Sequence, residues 1–215
     1  MSRTAAELDP LAPKMAVIDV SELPTVVFGS RAPLWWGVIG MIAIESTMFA
    51  LLIVTYFYLR GNATVWPPHG VDARLPVRLA NLALLLLSVW PMAKVAGAAA
   101  RQDLRGMRRW LMLGTALGLV VLGTRLALFA DMSFRWNSHA YGSIVWTILG
   151  LHTTHLVAAS VENLLFIVLL YVGPLEQKHL LDLRLNSLYW YFVVISWVIL
   201  FSVIYLDPGF LEMMR

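Results

Sequence analysis

Glu45, Arg125, His152, His155 and Glu162 are ionisable side chains set inside otherwise apolar stretches of this 215-residue chain. Ionisable groups in such stretches are costly, so each is paired, functional or both. His152 and His155 are three apart, and Glu162 lies seven beyond His155, so on a helix all three share one face. At ~1.5 Å per residue, Glu45 lies about 15 Å beyond Trp35. The two histidines lie about 16 and 21 Å beyond Tyr141, and Glu162 about 31 Å beyond it. The matched depths predict that the histidine face turns inward and pairs with Glu45 on a neighbouring helix. An acid and an imidazole in that position can share a proton. In the alternative reading the imidazoles bond backbone carbonyls and tie helices together. Arg125 lies about 24 Å beyond Arg109 and is expected to approach the opposite membrane edge, where it can snorkel.

Metal chemistry is poorly served by these residues. His-x-x-His on one helix supplies two ligands, and a zinc or di-iron site needs more from neighbouring helices. The remaining histidines, His69, His139 and His179, are assigned to loops. Two neighbours on one helix cannot grip a haem from both sides. Cysteine is absent, which excludes disulfides, thiolate ligands and a cysteine nucleophile. Nor is there a phosphate-cradling glycine loop, a nucleophile elbow or a kinase-type signature. The chain is expected to bind no metal or haem of its own.

The elements that must position these groups are membrane helices. The chain is 60% hydrophobic and 13% charged, against about a quarter charged in soluble domains. Five continuous apolar runs predict an all-α integral membrane bundle with helices near 35–58, 79–100, 110–130, 141–172 and 189–206. Barrel strands would alternate and be about half as long. The fourth helix would be about 48 Å long, so it must tilt or project from the membrane. Residues 1–30, broken by charges and prolines, read as an aqueous tail, leaving 31–215 as the membrane domain. Pro67, Pro68 and Pro76 stiffen the loop 61–76 into a shaped surface.

Basic residues set the expected orientation. Ten flank one side of the runs, including the Arg101–Arg109 cluster, and five flank the other. The positive-inside rule then puts the N-terminus in the cytoplasm and the C-terminus outside. The net charge of +3 is spread along these flanks, which favours a topology signal touching lipid headgroups over a nucleic-acid surface. Trp35, Trp36, Tyr56, Tyr58, Trp110, Tyr141, Tyr189, Trp190 and Tyr205 fall near segment ends and read as an interfacial belt. Gly114, Gly118, Gly123 and Gly150 read as points of close helix packing.

Several motifs then fall in a recognisable order. They are Trp35-Trp36-Gly37 with Glu45 and Phe49; Trp66-Pro67-Pro68-His69-Gly70; Tyr141-Gly142-Ser143 with Gly150, His152 and His155; and Tyr189-Trp190-Tyr191-Phe192-Val193 with Trp197. This ordered set, from about residue 31 to 206, resembles subunit III of the haem-copper (cytochrome c) oxidases, most closely the bacterial five-helix form. Two places depart from the family pattern. Tyr191 and Val194 stand where relatives carry His and Asp, and the stretch from Arg125 to Trp136 lacks the usual Gln and Glu-Tyr.

The resemblance implies a non-catalytic accessory subunit in a bacterial cytoplasmic membrane. It would pack on subunit I, with subunit II and small subunits in the same complex. It would hold phospholipid in a cleft, stabilise subunit I and support proton uptake, with haem and copper confined to its partners. Glu45, His152 and His155 correspond to the family's helix glutamate and histidines. The Trp-Pro-Pro loop leans toward cytochrome c as electron donor. Other readings are the related subunit of a quinol oxidase or nitric oxide reductase system, a stand-alone proton or solute transporter, and a membrane metalloenzyme. The absence of a pseudo-repeat and of broken helices disfavours the transporter.

Overall fold

A computed structural model describes residues 32–69, 71, 75–173 and 176–207. The tail expected over residues 1–30 lies outside them. The described residues form five α-helices and no strands: α1 (Pro33–Gly61), α2 (Leu75–Ala100), α3 (Leu104–Ala130), α4 (Ala140–Val172) and α5 (Gln177–Tyr205). All five are long and apolar enough to cross a membrane. At ~1.5 Å per residue, the 33 residues of α4 reach about 50 Å, beyond a hydrocarbon core of ~30 Å.

Local chemistry explains where the helices start. Pro33 opens α1 at a position where its missing N–H costs nothing. The Asp103 carboxylate accepts from Gly106 N at 3.0 Å and caps α3. Between α2 and α3 the chain turns through Gln102 in the left-handed region (φ 56°). His139 caps α4 by accepting from Gly142 N at 2.8 Å. Glu176 and His179 form a reciprocal cap on α5. The nearby Lys178 ammonium, 2.7 Å away, hydrogen-bonds the Glu176 carboxylate and holds its pKa below the usual value.

The last helix begins twelve residues before the expected position 189. Lys178 and Arg184 point outward while Leu180, Leu181, Leu183 and Leu185 are buried, so the segment is an amphipathic extension of the apolar span. His179 and the basic residues assigned to the connection after α4 therefore belong to a helix. Lys94, Arg105, Arg108 and Arg109 are likewise helical, at the facing ends of α2 and α3.

α5 lies at the centre of the bundle and packs on α1, α2 and α4. α2 and α3 form the tightest pair, and α1 touches only α4 and α5 among the described elements. Phe49 and Tyr56 are the buried residues of α1, so most of that helix faces outward. Its far end is tied by Arg60, whose Nη1 lies 2.7 Å from Asp207 Oδ2 just past α5. The Trp66 ring packs edge-on against Tyr56 and Tyr141, at 5.3 and 5.0 Å, and it is followed by buried Pro67 and half-buried Pro68.

Two packing expectations need correction. Tyr56, Tyr141, Tyr189, Trp190 and Tyr205 are buried in the bundle, whereas Trp36 and Tyr58 are exposed at opposite ends of α1. Position near a segment end does not fix which way a ring faces. Gly114 and Gly118 do meet neighbours closely, since an added Cβ would come within 2.9 Å of Met92 and 2.6 Å of Trp190. Gly123 and Gly150 face open space, so they are not packing points within this chain.

Candidate functional site

Glu45 and His155 meet where α1 crosses α4. Glu45 Oε1 lies 3.6 Å from His155 Nε2, with 16% and 11% of the two side chains exposed. At that separation the contact is too long for a hydrogen bond. Tyr189 of α5 approaches the same carboxylate and donates to Oε1 at 3.3 Å. Glu45 Oε2 is buried without a hydrogen-bond partner. Three helices thus converge on one carboxyl group.

The imidazole geometry limits the protonation states. His155 Nδ1 lies 2.7 Å from Leu151 O, which can only accept, so Nδ1 carries a proton. A neutral His155 then presents a lone pair from Nε2 toward Glu45. The contact is attractive only when one further proton is present, on Nε2 or on the carboxyl. Replacing Tyr189 by Phe removes a donor to this carboxylate. Its expected cost is about 0.5–1.5 kcal/mol, read as a lower thermal midpoint of the purified protein with the bundle intact.

His152 has a different task. It is fully buried, and its Nε2 bonds Val193 O on α5 at 2.9 Å. Its ring lies 4.7 Å from Trp197 and 6.3 Å from Phe49. Phe49 also packs 5.2 Å from His155. His152 thus ties α4 to α5 through a backbone carbonyl, and His155 combines a carbonyl contact with the carboxylate.

Arg125 does not snorkel. Its residue is 2% exposed, and Nε and Nη2 both donate to Asn81 Oδ1, at 3.2 and 2.8 Å. Its guanidinium lies 3.7 Å from the Trp197 ring centre. Asn81 supplies the acceptor that draws the side chain inward, and the Trp197 face adds a cation–π contact. Depth along the helix was readable from sequence, whereas rotation into the bundle depended on α2 and α5.

Glu162 is half-buried and lines a groove of about 240 Å³ with Val38, Phe166, Asp182, Asn186 and Tyr189. Tyr189 joins this groove to the Glu45 contact. A second groove, of about 220 Å³, runs between α1 and α5 past Ser46, Phe49, Ile53, Phe192 and Ile199. Trp35 packs beside Leu181 and Leu185 at the start of α1, with Trp36 edge-on to it at 4.9 Å. Tyr189, Asn81 and the buried Asn163–Asn186 hydrogen bond (2.7 Å) were missed as site residues. Isolated asparagines within apolar runs were the available signal. Among the described residues, no three of His, Asp and Glu converge to hold a metal ion.

The geometry defines an all-helical, multi-pass membrane protein with a protonatable Glu–His–Tyr contact between helices. Residues 25–208 match the family model for cytochrome c oxidase subunit III, and the chain belongs to that family. It is 27% identical over 184 residues to cytochrome c oxidase subunit 3 of Thermostichus vulcanus, covering 81% of this chain and 87% of that one. It is 30% identical over 173 residues to the probable cytochrome c oxidase subunit 3 of Mycobacterium tuberculosis, covering 79% and 85%. A third relative, cytochrome c oxidase subunit 3 of Alkalihalophilus pseudofirmus, is 26% identical over 167 residues, covering 75% and 81%.

Proposed function

We propose that this chain is a non-catalytic accessory subunit of a cytochrome c oxidase-type complex in a bacterial cytoplasmic membrane. It packs on the haem-bearing subunit I, in a complex that also contains subunit II. It stabilises subunit I, retains phospholipid along α1 and supports proton uptake. The N-terminus lies in the cytoplasm, in keeping with the excess of basic residues on that side. Haem and copper belong to the partner subunits.

The observation that carries this reading is the Glu45–His155–Tyr189 contact, within a chain that matches the family over nearly its whole length. A carboxyl and imidazole holding one proton suit proton handling better than electron transfer. The largely apolar groove of about 220 Å³ between α1 and α5 suits an acyl chain. The test is oxygen uptake by the complex purified with and without this chain, using reduced cytochrome c as donor. Loss of the chain is expected to leave initial turnover measurable and to shorten the active lifetime severalfold. Equal lifetimes and equal proton uptake in the two preparations would contradict the proposal.

A further inference from the structure

The surroundings of Arg125 leave one side of a buried cation without counter-charge. Asn81 Oδ1 takes the Nε and Nη2 donors, while Nη1 is buried with no hydrogen-bond partner. Among the described residues no carboxylate lies within 4.0 Å of this guanidinium; the Arg60, Lys178 and His155 pairs engage other acids. Asn81 cannot turn its amide to help elsewhere, because Nδ2 already donates to Val121 O and Thr124 Oγ1 at 3.0 and 2.6 Å. Arg125 lines a cavity of about 20 Å³ with Arg78, Asn81, Leu149, Trp197 and Tyr205. Arg78 is itself 9% exposed, with its guanidinium 4.6 Å from the Tyr205 ring centre.

Size and charge together select the occupant. A space of ~10–15 Å³ suffices for one water-sized particle, so this cavity of about 20 Å³ has room for a small particle beside the guanidinium. Water would accept from Nη1 but would leave the charge uncompensated, and an unpaired buried charge is strongly destabilising. A halide accepts the same N–H and supplies the charge. We propose that the cavity bounded by α2, α3, α4 and α5 binds one small monovalent anion of halide type, held by Arg125 Nη1. The bound ion would lock α3 to α2 and α5, and this role does not rest on the oxidase reading.

The test uses the full chain purified in detergent with the native partners it retains. Thermal unfolding is followed as chloride or bromide replaces gluconate at constant ionic strength. The midpoint should rise saturably with halide. Arg125→Gln should abolish that dependence, and Arg125→Lys should raise the half-saturating concentration about tenfold or more. Anomalous scattering from bromide-exchanged wild-type crystals should show one bromine beside Arg125 Nη1, which decides the question even if the variants fail to fold. A midpoint indifferent to halide, an unchanged dependence in Arg125→Gln, or a cavity without bromine would overturn the proposal.

Discussion

Exchanging Glu45 for Gln is expected to leave the complex assembled and to slow proton uptake, whereas Glu45→Ala is expected to loosen the chain from its partners. Gln preserves the side-chain shape and can still accept from Tyr189, which now donates to Oε1 at 3.3 Å. It cannot exchange a proton with His155, so the function of the pair is removed without its packing. Ala removes both. His155 Nε2 and the Tyr189 hydroxyl then lose their shared partner in a site where the two residues are largely buried. Leaving such groups unsatisfied costs about 1–3 kcal/mol, a five- to 150-fold shift in an equilibrium. α1 bears the loss because it touches the bundle only through α4 and α5. Subunit retention by quantitative mass spectrometry and proton uptake by stopped flow separate the two effects. Unchanged retention, lipid content, uptake and turnover in both variants would leave Glu45 without the role assigned to it.

The largest expected loss of stability is at Trp190. Its side chain is fully buried, its indole N–H donates to Ser88 Oγ on α2 at 2.9 Å, and its ring edge lies against Gly118 of α3. One residue thereby joins α5 to both members of the tightest helix pair. Trp190→Ala empties the largest fully buried side-chain volume in the bundle and should cost about 3–5 kcal/mol. Gly118→Ala approaches the same contact from the opposite direction. Its new methyl would lie 2.6 Å from Trp190 Cη2, and relieving that overlap should cost about 1–3 kcal/mol. Adding Trp190→Phe to Gly118→Ala should recover part of that loss, because the smaller ring vacates the space the methyl needs. Thermal unfolding of the four proteins in detergent checks the cycle. Simple additivity would show that the two residues do not share this contact.

These residues also mark how much of the fold is legible in the sequence. The five helices were legible because uninterrupted apolar runs of membrane length leave few alternatives. The start of α5 was not, since Lys178, Asp182 and Arg184 interrupt the run that hydropathy detects. The helix continues through them by keeping leucines on its packed side. Glu45 and His155 could be placed at one depth by counting the helical rise from Trp35 and Tyr141, and they lie 3.6 Å apart. Tyr189 was hidden as their third partner because its position resembles that of an interfacial aromatic. Arg125 was misjudged for a related reason: distance along a helix says nothing about rotation, and its acceptor Asn81 lies 44 residues away. Gly118 was readable as a close approach, but the opposing Trp190 became visible only once α3 and α5 were packed together.

The account turns on this bundle bracing a haem-bearing redox partner. The most direct test is gentle purification of the affinity-tagged chain from native membranes. Reduced-minus-oxidised haem spectroscopy and native mass spectrometry are then applied to the intact assembly. The account predicts one complex in fixed stoichiometry with a haem-containing subunit I and a copper-bearing partner, and oxygen consumption driven by reduced cytochrome c. A chain that migrates alone, free of haem, from membranes where the oxidase is otherwise complete and fully active would contradict it.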